Sequence, residues 1–464
     1  MVDIEFEYSV PVLVIGGGAC GCIAALAAKQ AGSDVMLIEQ DDRPMGSTGM
    51  SQGLISAAGT QQQHKHGVED SAERFYNDIM TKTQGQADPV IAKIIAENSG
   101  PTLDWMIGDL DLPWRLDTSF RPGYGNSVYR VHGWDGHNGQ DMVDLLHQRL
   151  SEADIDVFLE AKLTVVHTDD NHRVCGVSLT RPNGEIERLG CDALILACGG
   201  FAANTAMLQK YIPEVCHARN NGHEGSQGTA VEIGLKLGAQ LGDMGAYQGY
   251  GMHTEPQGIS VPPNILINGG VLINQNGERF VDESEDIAGV VLPVLQQPGD
   301  FVWVVYDERI EKTALHYPEM KQLNTLNAAK SGDNIQTLAA AINVPGEALQ
   351  QTLEQAHLAQ LSHTPDAFNR QWHDDLPPEN KLKAFKVIGA IYHTQGGLQI
   401  NERAQVVHQD GTSLPNLFAG GGAARSVSGP AHWGYIPAMG LATAVVLGRT
   451  AGQSAAAAAS NSAK

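Results

Sequence analysis

Residues 10–40 read VPVLVIGGGACGCIAALAAKQAGSDVMLIEQ. The apolar run 10–16 ends on glycines, as a strand buried on both faces does when it enters a tight turn. Small apolar residues over 20–30 keep helical spacing until Gly32 stops them, and 35–39 is a second apolar strand. Strand, glycine turn, helix, strand is the opening βαβ of a doubly wound parallel sheet, so the fold class is α/β. Within the turn, Gly16 makes the bend and Gly18 lets backbone approach a pyrophosphate. Gly21 lets the helix pack on the strand, while the helix start, with Ala19, supplies partial positive charge. Glu39 stands 23 residues after Gly16 with Gln40 beside it. A carboxylate there accepts hydrogen bonds from a ribose diol and repels a 2′-phosphate, which points to a dinucleotide other than NADP.

Further along, more glycine turns follow strand-like runs. Gly46-Ser47-Thr48-Gly49-Met50-Ser51-Gln52-Gly53 comes after the acid, Cys198-Gly199-Gly200 after the run 192–198, and Gly420-Gly421-Gly422 after 416–419. The chain holds 52 glycines in 464 residues, well above an average usage of about 7%. A nicotinamide-binding domain completes its phosphate contacts at the first turn. So many close-approach points suit a longer ligand across the sheet, and FAD fits better than NAD.

The rest of the chain bounds the organisation. Residues 71–112 read as mainly helical, 141–151 as a helix, and 157–166 with 173–179 as paired strands. From about 246 to 388 the texture turns to proline-rich loops with a helical stretch at 335–361. A hairpin over 270–274 and 279–281 is expected at Asn276-Gly277. This is read as an inserted α+β capping domain between two segments of a Rossmann-like FAD-binding domain, residues 1–245 and 389–452. Residues 453–464 are expected to fray.

With 30 Lys+Arg against 53 Asp+Glu the net charge is −23, which disfavours nucleic acid and anionic membrane as partners. The six cysteines form no C-x-x-C, arguing against a zinc site or attached haem and for free thiols in a reducing compartment. The acidic N-terminus is unlike a secretory signal, and no 18-residue uncharged apolar run occurs, so a cytoplasmic protein is expected.

Taken together, VLVIGGGACG…LIEQ, GSTGMSQG, LACGGFAAN, HTQGGLQI and LFAGGGAA…GRTAG resemble the fumarate reductase/succinate dehydrogenase flavoprotein family, which includes the 3-ketosteroid dehydrogenases. The resemblance implies an FAD domain, a mobile cap and chemistry at their interface. It places Gly16, Gly18, Gly21 and Glu39 at the ADP half and Ser47, Thr48, Ser51 and Gly53 along pyrophosphate and flavin. Leu163 would meet adenine, and Gly421, Ala438 and Met439 the ribityl chain and pyrimidine edge. Members with covalent FAD carry histidine where Thr48 stands here, so noncovalent FAD is implied. Members often end the Gly420-Gly421 turn with glutamate, where this chain has Gly422.

His393 matches the family's substrate histidine. The proton-donating arginine of fumarate reductases falls on Ile287, after Asp286, and their second substrate arginine on Tyr435. Without those cations a buried dicarboxylate is costly. Phenols and imidazoles stand in their place: Tyr247, Tyr250, His253, His393, His432 and Tyr435. The expectation is an FAD-dependent enzyme acting on a CH–CH bond next to a carbonyl, a neutral cyclic ketone favoured. Tyr435 or His393 would polarise the carbonyl, Tyr250 or His253 would take the α-proton, and flavin N5 would accept the β-hydride. The alternatives are a soluble fumarate reductase-like enzyme reducing an enoate, and a noncatalytic FAD-binding subunit. No metal ligand set is expected. The electron acceptor is not specified by the sequence.

Overall fold

The computed structural model describes residues 5–372 and 381–462, so the acidic first four residues and the last two of the expected tail lie outside the described residues. The chain begins as its apolar periodicities require. Strand β1 (Tyr8–Ile15), helix α1 (Ala19–Gln30) and strand β2 (Val35–Ile38) form a parallel βαβ, Val14 lying opposite Leu37. The helical run then divides into α2 (Ala72–Lys82) and α3 (Pro89–Gly108). Gln84 takes a φ of +52° between them, and Asp88 restarts the helix by accepting from the N–H groups of Val90 and Ile91. Helix α4 (Gly139–Glu152) opens on an Asn138/Asp141 capping box.

The expected strand 157–166 is two strands. Here β3 (Asp156–Phe158) runs parallel to β2, and β4 (Lys162–Thr168) pairs antiparallel with β5 (Val174–Thr180), the change of partner being made at Glu160 with a φ of +55°. Strand β6 (Ile186–Leu196) then returns to the far side of β1.

The chain next builds a second sheet from β7 (Tyr247–Thr254), β8 (Val271–Ile273) and β9 (Phe301–Asp307), followed by helices α5 (Ile335–Ile342) and α6 (Gly346–Ser362). Its central strand, β10 (Leu382–Thr394), pairs with both β7 and β9. The chain rejoins the first sheet through β11 (Gln405–Val407) and β12 (Ser413–Ala419), and closes with helix α7 (Met439–Ser462). The first sheet has the order β11-β12-β6-β1-β2-β3. Successive strands leave β1 in opposite directions, which opens a crevice at the carboxyl ends of β1 and β6.

Three expectations change. The Asn276-Gly277 turn forms, with Asn274 N–H donating to Glu278 O at 2.9 Å, but β8 pairs with β9 and not with 279–281. Arg279 is drawn off by Glu283, at 2.7 Å, and by Asp366, which pulls the following segment out of strand geometry. The sheet also ignores the boundary drawn at 388, since β10 runs unbroken through it and Arg219–Asn220 joins β10 from the first segment. The expected frayed tail is helix up to Ser462, with Ala455, Ala456 and Ala459 buried. Helix α7 packs directly on the backbone of α1. A Cβ on Gly448 would lie 2.5 Å from Cys20 O, and one on Gly452 2.2 Å from Ala24 O. Among the described residues no helix is long and apolar enough to cross a membrane.

Candidate active site

The crevice holds the glycine turns. Gly16 has a φ of +113°, and a Cβ on it would sit 2.4 Å from Ala197 O; one on Gly21 would sit 1.8 Å from Gly16 O. Helix α1 starts after Gly18, which has no side chain to cap it, so apart from Ala19 N–H, taken by Thr48, the first turn can turn its N–H groups to a ligand. Glu39 braces the turn from below: Oε2 accepts from Gly17 N–H at 2.6 Å and Oε1 from Asp41 N–H at 3.0 Å.

Thr48 Oγ1 accepts from Ala19 N–H at 3.0 Å, and Ser51 Oγ donates to Thr48 O at 2.7 Å while accepting from Gly53 N–H at 3.1 Å. Gly46 and Gly53 both take positive φ. Ser47 faces Ser226 at 3.4 Å, and Gln40 reaches over to the loop at Gly225, whose Cβ would be 1.9 Å from its Nε2. Leu163 is buried two residues beyond Ala161, whose N–H donates to Glu39 O at 2.9 Å.

The turns at Gly199 and Gly421, both with positive φ, pack on one another: a Cβ on Gly422 would meet Gly200 N at 2.7 Å. That contact leaves no room for a side chain at Gly422. Ala438 takes a φ of +62°, and Ser56 fastens its turn by donating Oγ–H to Pro437 O at 2.9 Å, with Met439 buried behind. Ser56, missed by motif reading, is found only through this long-range bond. Uncapped helix donors, a carboxylate at the ribose position and glycines with no room for a Cβ together fit FAD.

The catalytic candidates fall into two groups. Near the Ala438–Met439 turn, the rings of His393 and Tyr435 are 5.9 Å apart. A Cβ on Gly440 would lie 2.8 Å from His393 Nε2 and 3.7 Å from Tyr435 Oη. Burial lowers the His393 pKa to about 4 and raises that of the Tyr435 phenol. His432 opens the turn that carries Tyr435, whose N–H donates to His432 O at 3.1 Å, and its ring is 5.6 Å from that of Tyr247. Across the cap seam, Asp286 Oδ2 is 4.0 Å from His432 Nε2. Tyr247 is buried, its hydroxyl without a partner among the described residues.

The second group lies on β7. His253 pairs with Ile388, five residues from His393 along β10, or roughly 16 Å at strand rise. The His253 ring is fully buried with neither nitrogen bonded among the described residues, and burial and Arg219 lower its pKa to about 4. A Cβ on Gly258 would be 3.7 Å from Arg219 Nη2 and 3.9 Å from His253 Nε2. Tyr250 donates its hydroxyl proton to Val261 O and packs 5.3 Å from the Tyr392 ring, and burial raises its pKa. The structure therefore joins His393 to Tyr435 and sets Tyr250 and His253 apart from them.

Two arginines, Arg425 and Arg130, are each held by a pair of carboxylates. Arg425 pairs with Asp88 at 2.7 Å and Asp243 at 2.6 Å, and Arg130 with Asp70 at 2.8 Å and Asp78 at 2.6 Å. Ile287 is in the apolar core.

Residues 11–434 match the family model described as FAD binding domain. The chain is 30% identical over 452 residues to a protein of Shewanella frigidimarina described as probable fumarate reductase Ifc3, covering 96% of this chain and 74% of that one. It superposes on the open conformation of a flavocytochrome c3 fumarate reductase with a TM-score of 0.81 and 28% identity, covering 98% of this chain and 79% of that one. The same fold recurs in the 3-ketosteroid-Δ4-(5α)-dehydrogenase of Rhodococcus jostii RHA1, with a TM-score of 0.77, 22% identity and 98% of each chain covered. The chain belongs to the FAD-binding domain family, and is an FAD-dependent oxidoreductase of the fumarate reductase/succinate dehydrogenase flavoprotein type that its motifs resemble.

Proposed function

We propose that this oxidoreductase adds or removes two hydrogens across a C–C bond conjugated to a carbonyl, and that its substrate is a neutral ketone or enone, cyclic ones favoured. One observation carries the reading: the two positions onto which the motif resemblance places the substrate arginines of fumarate reductases are here a buried isoleucine, Ile287, and a buried phenol, Tyr435. FAD supplies two-electron hydride exchange with the β-carbon. Tyr435 and His393 share the space over Gly440 and donate hydrogen bonds to the carbonyl oxygen as enolate charge builds, without burying a cation.

A proton acceptor must stand within hydrogen-bond reach of the α-carbon's proton. His432, on the turn that carries Tyr435 and with Asp286 at 4.0 Å, meets that condition better than Tyr250, whose proton is already given to Val261 O. The core contributes His432 and the cap contributes Asp286, so cap closure completes the pair.

A second reading, reduction of an enoate, draws support from the fumarate reductases among the relatives and from Arg219. That guanidinium has no carboxylate partner among the described residues and stands across the Gly258 gap from unbonded His253. An anaerobic screen of flavin bleaching and reoxidation separates the two. Cyclic ketones and enones should exchange hydride, and C4 diacids should not. Turnover of fumarate with no response to any ketone or enone would reverse the assignment. Tyr435→Phe and His393→Ala should each slow ketone turnover by about a hundredfold or more with flavin content unchanged.

A further inference from the structure

We infer that Gln395 and Ser428 set the tautomer of His393 and thereby make it a neutral hydrogen-bond donor rather than a base. The inference rests on the reading of His393 as a substrate-facing group.

Gln395 Nε2 lies 2.8 Å from His393 Nδ1, and Ser428 Oγ lies 3.0 Å from Gln395 Oε1. Both Gln395 and Ser428 are buried. The serine hydroxyl gives its one proton to the amide oxygen, which leaves the amide N–H to donate to Nδ1. The glutamine cannot drift from this position, because its backbone is held on both sides. Its N–H donates to Ala246 O at 2.8 Å, and its carbonyl accepts from Ser426 N–H at 2.9 Å. Thr394 O also faces Nδ1, at 3.5 Å, and is the longer and weaker of the two contacts there.

A neutral imidazole that accepts at Nδ1 carries its proton on Nε2. Nε2 is the atom that faces the space over Gly440, where the Tyr435 hydroxyl also arrives. Two uncharged donors thus converge on one point, beside the Ala438–Met439 turn that the family resemblance places at the flavin. Burial keeps the imidazole neutral, its pKa held at about 4. The rest of the His393-Thr394-Gln395-Gly396-Gly397 motif is committed to holding the relay. Thr394 Oγ1 accepts from Phe201 N–H at 3.1 Å, and a Cβ on Gly396 would strike Asp243 O at 2.3 Å.

The test uses holoprotein labelled with 15N at histidine, the His393 signals being identified by their loss in His393→Asn. In the wild type Nε2 should carry the proton and Nδ1 should be unprotonated, unchanged between about pH 5.5 and 8.5. In Gln395→Glu the carboxylate should draw the proton to Nδ1 and raise the imidazole pKa. Ketone kcat/KM, flat in the wild type with respect to this group, should then fall as pH rises through that raised pKa. Gln395→Leu should lose about ten- to a hundredfold in kcat/KM with flavin content unchanged, and Ser428→Ala less. If Gln395→Glu does not fold, the labelled wild type and Ser428→Ala carry the test. A protonated Nδ1 in the wild type overturns the inference even if ketones are consumed. An Nε2-protonated His393 in a protein inert to every carbonyl compound would leave the tautomer standing and remove the proposed reaction instead.

Discussion

His132 takes no part in the chemistry, yet it governs how the molecule meets acid. It is fully buried, its Nδ1 2.8 Å from Arg130 O and its Nε2 2.9 Å from Thr60 Oγ1, and burial lowers its pKa to about 4. His253 and His393 are depressed to about the same value. A histidine that protonates near 6.5 when unfolded but only near 4 when folded binds more protons in the unfolded state between those values. Stability therefore rises with pH across that window and is lost as pH falls through it, by about 1.4 kcal/mol per unit of depression for each group. Denaturation midpoints should drop steadily from about pH 6.5 toward 4, and His132→Gln should flatten part of that slope. Thr48 carries a second prediction at this scale. It is a hydroxyl already accepting from Ala19 N–H, with no nucleophile to bond the flavin, so acid precipitation should leave all the FAD in the supernatant.

At the scale of elements, helix α7 is the part whose role composition hides. Its Ala-rich end lacks the stripe of large apolar side chains that marks a packed helix, and yet it lies against α1, the helix that presents its first turn to the dinucleotide. The small residues are what allow the approach, since any Cβ at Gly448 or Gly452 would enter the carbonyls of α1. Deleting residues 453–464 should remove the buried Ala455, Ala456 and Ala459. That should cost about 2 kcal/mol at roughly 0.8 kcal/mol per methyl, with weaker retention of FAD. A frayed tail would leave both the melting temperature and the flavin content where they were.

For the whole molecule, the seam between cap and core decides which groups can react together. Lys82 Nζ donates to Glu285 O at 3.1 Å and Tyr124 Oη to Glu283 O at 3.2 Å, which brings the 283–289 segment of the cap down beside His432. Gly289 leaves room for the approach, since a Cβ there would lie 2.1 Å from Asp286 Oδ2 and 2.4 Å from His432 Cδ2. Burial lowers the His432 pKa, Asp286 and Glu214 oppose the shift, and Lys82 adds to it. Ketone desaturation should rise with pH as His432 loses its proton. Asp286→Asn, which removes one opposing charge, should move that limb to lower pH and reduce kcat several-fold without loss of flavin. A pH profile unmoved in Asp286→Asn would take His432 out of the proton path.

Much of this was legible in the linear chain because it is local. Apolar runs of period two and 3.6, glycines at spacings of two and three, and one acid after the second strand specify a βαβ cradle within some thirty residues. The strand partner of 271–273 is not legible there for the opposite reason: besides Glu283, Arg279 answers to Asp366, a partner 87 residues away. The same holds for the groups of the proposed site. His393 and Tyr435 are 42 positions apart, and only β10 and the turn before α7 bring their rings together. Asp286 and His432 lie on different sheets' territory and meet only across the seam. The sequence by itself determined the cofactor and the sheet that holds it, since a turn's backbone needs come from its own residues. Which side chains face one another at the proposed site was decided by tertiary structure alone, because that depends on strand register and cap position, where neighbours in space are strangers in the chain.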